Sequence, residues 1–199
     1  MIYKFWRNGD FLDTINFLRL NNGNIDEMDY PGYKKGWFNY AFNEGKCIDT
    51  TLIPDFKFYY DAKEGGVFTE VLLNVHSLLI VSKAVKQVFD ENDVKYLQYI
   101  PIEIEELNTG ITNTDYYIVN CLQRIDGINL EHSRYDHLEE YDMYTFWGNQ
   151  ICFNKDKVES LDVFKDVKAP NSIFVSEKIK NIFKENNWQT MNFTPMDVL

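Results

Sequence analysis

Residues 79–104, LIVSKAVKQVFDENDVKYLQYIPIEI, and residues 173–198, IFVSEKIKNIFKENNWQTMNFTPMDV, match at a constant offset of 94 without a gap. Ser82 pairs with Ser176, Val81 with Val175, Lys86 with Lys180, Phe89 with Phe183, Glu91 with Glu185, Asn92 with Asn186 and Pro101 with Pro195. Two copies of one small folding unit are the simplest explanation, and they constrain the fold more than any other feature of the chain.

In each copy an apolar run of β type ends at a serine, after which apolar residues recur at helical spacing. Val85, Val88 and Phe89 form one stripe, and Ile179, Ile182 and Phe183 the other. That spacing predicts a short amphipathic helix whose stripe is buried. Ser82 and Ser176 stand where a hydroxyl caps the first free amides, and Asn92 and Asn186 stand where a left-handed residue ends a helix. A second run follows, with Leu97 and Tyr99 or Met191 and Phe193 alternating as a half-buried strand does. Pro101 and Pro195 cannot donate to a ladder, so each is expected at a strand end, a bulge or an edge. The predicted fold is α+β, a mixed sheet with short helices containing two strand-helix-strand units, 79–104 and 173–198. Residues 1–51 are rich in turn chemistry without a helical period, and are read as a segment packed on a main domain of residues 52–199.

At 199 residues the chain can bury roughly 70% of its unfolded surface, so a core forms without disulfides or metal. No signal-peptide pattern opens the sequence, and LLIV at 78–81 is far too short to span a bilayer. Cys47, Cys121 and Cys152 are odd in number, widely separated and free of C-x-x-C spacing, which points to a reducing cytoplasm. The net charge of −11 opposes binding to a phosphate backbone, and no membrane partner is indicated. The charge is uneven: residues 79–148 hold 13 acidic and 5 basic side chains.

No catalytic constellation stands out. His132 and His137 lie five apart, about 140° off a common helix face, so a solvated polar segment explains them better than a metal site. Ser82 and Ser176 lack a G-x-S-x-G setting, and Cys121 reads as a small buried hydrophobe. KEGG at 63–66 lacks the ending of a phosphate loop. Neither a cofactor nor a metal is implied, and the chain is expected not to be an enzyme.

Residues 131–147 differ in kind. Glu131, Asp136, Glu139, Glu140 and Asp142 stand against Arg134 alone, interleaved with Tyr135, Tyr141, Tyr144, Phe146 and Trp147. Aromatic anchors in a single-signed field suit a protein interface, with Glu131, Asp136, Glu139, Glu140, Tyr141, Asp142, Tyr144 and Trp147 as its candidate residues. A loop whose rings cover the core while its acids are solvated explains the same pattern.

The series LIPDF, LLIVSKAVKQVF, QYIPIEI, YYIVNCLQRIDGINLE and LDVFKDVKAPNSIFVSEKIKNIF resembles a family of bacterial immunity proteins from polymorphic toxin systems, over about residues 52–199. The resemblance implies a cytoplasmic protein that binds and neutralises a cognate toxin, and an acidic inhibitor suits a cationic toxin. A general protein-binding scaffold, or a small-molecule enzyme with a deep polar pocket, shares the remaining features.

Overall fold

Helices with one apolar stripe must lay it on a sheet, and the computed structural model, which describes residues 1–7, 18–21 and 23–199, places both repeat helices that way. Residues 8–17 and 22, within the segment read as 1–51, lie outside the described residues. The chain starts with β1 (Ile2–Arg7), followed by β2 (Arg19–Leu20), β3 (Phe56–Tyr60), β4 (Val71–Asn74) and β5 (Ile80–Ser82). Helix α1 (Lys83–Glu91) leads into β6 (Leu97–Glu106), β7 (Thr112–Cys121) and β8 (Arg124–Ile125). Then come β9 (Tyr135–Leu138), β10 (Met143–Phe146), β11 (Cys152–Phe153), α2 (Lys155–Val158), β12 (Val163–Asp166), β13 (Ala169–Ser176), α3 (Glu177–Glu185) and β14 (Met191–Val198). The architecture is α+β with β predominating.

The chain forms two compact units. Residues 8–122 make the first, and residues 1–7 with 123–199 make the second. The physical reason is strand pairing. β1 lies between β13 and β14, whereas the 3₁₀ turns at Asn24–Glu27 and Phe38–Asn43 bury Ile25, Phe38, Ala41 and Phe42 in the first unit's core.

Each unit holds a six-stranded sheet. The order is β2-β4-β5-β7-β6-β3 in the first and β8-β12-β13-β1-β14-β11 in the second. Strand directions match along both series: the outermost pair at each end is parallel and the three inner pairs are antiparallel. Registers match too. Tyr116 of β7 faces Ser82 and Ile102, while Ile2 of β1 faces Ser176 and Met196, each 94 residues further on. The two strands flanking each helix are therefore parallel but not adjacent, because β7 or β1 runs between them.

Both sheets return on themselves. In the first unit Asn21 N donates to Tyr59 O at 2.7 Å, and Lys57 N donates to Asn24 Oδ1 at 3.1 Å, so the chain leaving β2 covers the free edge of β3. In the second, Asn129 N donates to Cys152 O and Asn154 N to Gly127 O, so the chain leaving β8 covers β11. Closure satisfies edge amides that would otherwise invite foreign strands. It demands glycine at the tightest approach: a Cβ on Gly23 would stand 1.4 Å from Lys57 O. Phe58, Leu72, Ile80, Ile102 and Tyr116 fill the first interior, and Phe153, Phe164, Phe174, Met196 and Ile2 occupy the matching positions of the second.

On the helix side Val85, Phe89, Ile179, Ile182 and Phe183 are buried, while Val88 is only half-buried at the rim of α1. Val85 N donates to Ser82 Oγ at 3.4 Å, the expected cap. Ser176 departs from it, since its hydroxyl donates to Asp162 Oδ1 at 3.0 Å. The left-handed residues fall one place later than expected, at Asp93 and Asn187, because the side chains of Asn92 and Asn186 turn back to donate to Val88 O and Ile182 O. Pro101 and Pro195 sit where β6 and β14 have a neighbour on one side only, just before β3 and β11 begin to pair.

Glu106 closes the β6–β7 turn. Its carboxylate accepts from Asn108 N and Nδ2, Thr109 N and Ala62 N, at 2.7–3.2 Å. These donors, the Asn108 and Thr109 contacts foremost, hold it at about 2, below its ordinary 4.5. The fold thus binds fewer protons here than the unfolded chain, and the stabilisation is complete above 4.5 and disappears as pH falls towards 2. Denaturant titrations should therefore show wild type losing its advantage over Glu106→Gln across that window. In the core, Phe89→Ala and Phe183→Ala should each cost roughly 3–5 kcal/mol, each leaving a ring-sized void under its helix; calorimetry would check it.

Candidate functional site

The segment 131–147 folds as a hairpin anchored at its base. Asn129 Oδ1 accepts from Glu131 N and His132 N, fixing a 3₁₀ turn at Leu130–His132. Ser133 Oγ accepts from Cys152 N at 2.9 Å and donates to Asn129 O at 2.7 Å. Arg134 N donates to Gln150 O, Trp147 N donates to Arg134 O, and the Arg134 guanidinium lies 5.1 Å from the Trp147 ring centre. Phe146 packs half-buried against the barrel core.

Strands β9 and β10 pair antiparallel, with Tyr135 opposite Phe146 and His137 opposite Tyr144. Strand alternation therefore collects Tyr135, His137, Tyr144 and Phe146 on one face. His137 stacks on Tyr144 at 4.2 Å between ring centres, and Tyr135 meets Tyr144 edge-on at 5.4 Å. The other face carries Asp136, Leu138, Met143 and Thr145. At the tip Glu139–Tyr141 make one 3₁₀ turn, and Asp142 is left-handed (φ 47°), its Oδ1 3.1 Å from His137 Nε2. A short polar side chain that can bond locally is one of the few that tolerate this conformation.

Of the eight sequence-derived residues, Glu139, Glu140, Tyr141 and Asp142 come together at the tip. Asp136 lies along β9, and Tyr144 belongs to the half-buried aromatic face. Glu131 and Trp147 stand at the base, ~13 Å away by strand rise. The aromatics divide by exposure: Tyr135, Tyr144 and Phe146 are half-buried, whereas Tyr141 and Trp147 are 62% and 50% exposed. Sequence reasoning missed Leu138 and Met143, a cross-strand pair 56% and 57% exposed. Period-two alternation in YDHL and MYTF carried that signal, beneath the louder one of charges and rings.

The chemical candidates weighed beside the hairpin have structural roles. Ser82 caps α1, and Cys121 is buried in β7. Burial pushes the Cys152 thiol up, the opposite of what a nucleophile needs. His132 lies in the basal 3₁₀ turn and His137 in the aromatic stack. Among the described residues no three His, Cys, Asp or Glu side chains converge as metal ligands do, and no helix is long and apolar enough to cross a membrane.

Each unit is a closed sheet with a helix against it, and the second adds α2 and the exposed acidic hairpin. A model of the immunity protein family Imm11 matches residues 19–198, and the chain belongs to that family. The match extends the resemblance back from residue 52 to β2, because the segment from β2 onward belongs to the first barrel. No curated protein matched the chain.

A hairpin outside the core can lose charge without loss of fold. The triple variant Glu139→Gln, Glu140→Gln, Asp142→Asn, in which Asn retains tolerance of the left-handed turn, should unfold within about 1 kcal/mol of wild type. Circular dichroism melts would test this.

Proposed function

We propose that the protein neutralises a bacterial toxin by stoichiometric binding without catalysis of its own, and that the 131–147 hairpin forms part of the contact surface. One observation carries the reading: in an immunity-family chain, this hairpin leaves Leu138, Tyr141, Met143 and Trp147 exposed inside an acidic field. A soluble surface rarely gathers such side chains without a partner to cover them. The acids would speed encounter with a cationic toxin, and the rings would hold the complex.

We also propose that the chain is a duplicated unit. Matching strand order, direction and register support this beyond the windows 79–104 and 173–198, with β1 standing in the second unit where β7 stands in the first. The chain linking the two outermost strands of each sheet would then have diverged. In the first unit, residues between β2 and β3 fill their own core; in the second, those between β8 and β11 stand out as the hairpin.

Co-expression with the product of the adjacent reading frame, followed by size-exclusion chromatography, tests for a complex. Surface plasmon resonance then separates the roles. The triple charge variant should slow association at low salt and approach wild type at physiological ionic strength. Tyr141→Ala or Trp147→Ala should raise the dissociation rate by 5-fold or more, about 1 kcal/mol. Unchanged rates in all three folded variants would remove the hairpin from the interface.

A further inference from the structure

The second barrel carries a cavity of about 630 Å³ where its α2, β12 and α3 ends meet. Its floor is apolar, formed by Ile2, Val158, Leu161 and Val198, and its rim is polar, with Lys155, Ser160, Glu177 and Lys178. That size lies within the range of ligand pockets, roughly 300–1,000 Å³.

The first barrel shows what such a corner holds. There the Phe68 ring sits 5.3 Å from Tyr60 and 5.6 Å from Tyr116, centre to centre. The matching registers locate all three positions in the second unit. Tyr116 corresponds to Ile2, by their partners Ser82 with Ile102 and Ser176 with Met196. Phe68 stands two residues before Glu70, whose carbonyl accepts from Ser82 N; Ser160 stands two before Asp162, whose carbonyl accepts from Ser176 N. Tyr60 stands two residues after Phe58 in β3, and Lys155 two after Phe153 in β11. Three rings in one barrel are thus Ile, Ser and Lys in the other, and it is these replacements that line the cavity.

We infer that this cavity receives an aromatic side chain presented by another protein, replacing the ring that the first barrel supplies from its own chain. A phenyl or phenol ring fits within the cavity beside Ser160, finds an apolar floor where Phe68 finds Tyr116, and can turn its face to the Lys155 ammonium. The inference rests on the reading that the protein works by binding a partner, and it adds a second contact site of different chemistry from the acidic hairpin.

Methyl NMR of the full chain, titrated with N-acetyl-phenylalaninamide, tests the pocket without any toxin. Saturable shifts are expected at the methyls of Ile2, Val158, Leu161 and Val198, with a dissociation constant on the order of 1 mM. Ser160→Phe, which rebuilds the plug, should abolish them; Lys155→Tyr gives an independent plug should the first variant misfold. Absence of saturable shifts in wild type, equal binding of N-acetyl-leucinamide, or shifts that persist in the plugged variants would overturn the inference. With the toxin, the plugged variant should bind at least 10-fold more weakly, and unchanged affinity would overturn the pocket's role in partner binding. Failure of wild type to bind the toxin at all would count against the proposed function, and the peptide-amide arm registers that separately.

Discussion

Everything in the second unit depends on the pairing of β1. Its backbone bonds β13 on one side and β14 on the other, and without it the two parallel strands flanking α3 have no common neighbour. Its side chains tie both faces of the sheet. Ile2 enters the barrel core, while Phe5 meets Phe183 and Phe193 at 5.3 Å beneath the helix. Tyr3 donates to Glu177 and accepts from Lys180, whose ammonium also lies 4.1 Å from the Tyr3 ring centre. A single six-residue strand thereby joins interior, sheet and helix.

Barrel closure explains why such short strands suffice. Two-residue strands such as β2 and β8 would be marginal on an open edge, but each passes directly into a segment that seals the opposite end of its sheet. Asn74 and Asp166 mark the same corner of the two units. Asn74 Oδ1 accepts from His76 N at 3.1 Å, and Asp166 Oδ1 accepts from Lys168 N at 2.9 Å. Asp166 does more, since its other oxygen accepts from Gly127 N and Ile128 N and so fastens the closing segment to β12. Fully buried, its carboxyl group is held by the backbone amides of Gly127, Ile128 and Lys168.

What the sequence disclosed was local, and what it concealed was long-range. The strand-helix-strand windows were legible because periodicity and caps act within a few residues, and nearly every side chain read as core in α1 and α3 is core. The correspondence of IYKFWR in β1 with YYIVNC in β7 was not legible. Those strands share little beyond alternation, and their likeness lies in which partners they meet. Likewise the first 51 residues looked like an appendage because their apolar side chains sit in 3₁₀ turns without helical period, although Phe38 and Phe42 lie at the centre of a barrel. For the candidate site, charge and aromatic content marked the segment, alternation in YDHL and MYTF held a fainter signal, and pairing placed Leu138 opposite Met143 on the face that carries Asp136.

The position of β1 also orders events during synthesis. The first unit is complete once Leu122 has been made, so it can close while the rest of the chain is still emerging. β1 is made before the first unit yet has no partner until residues 173–198 arrive: Tyr3 meets Glu177, 174 positions later. Vectorial folding therefore closes the first unit before the second, which forms by capture of a waiting strand. A nascent chain of this design carries β1 unpaired while residues 8–172 are made, and exposed apolar segments of that kind are what holdase chaperones bind.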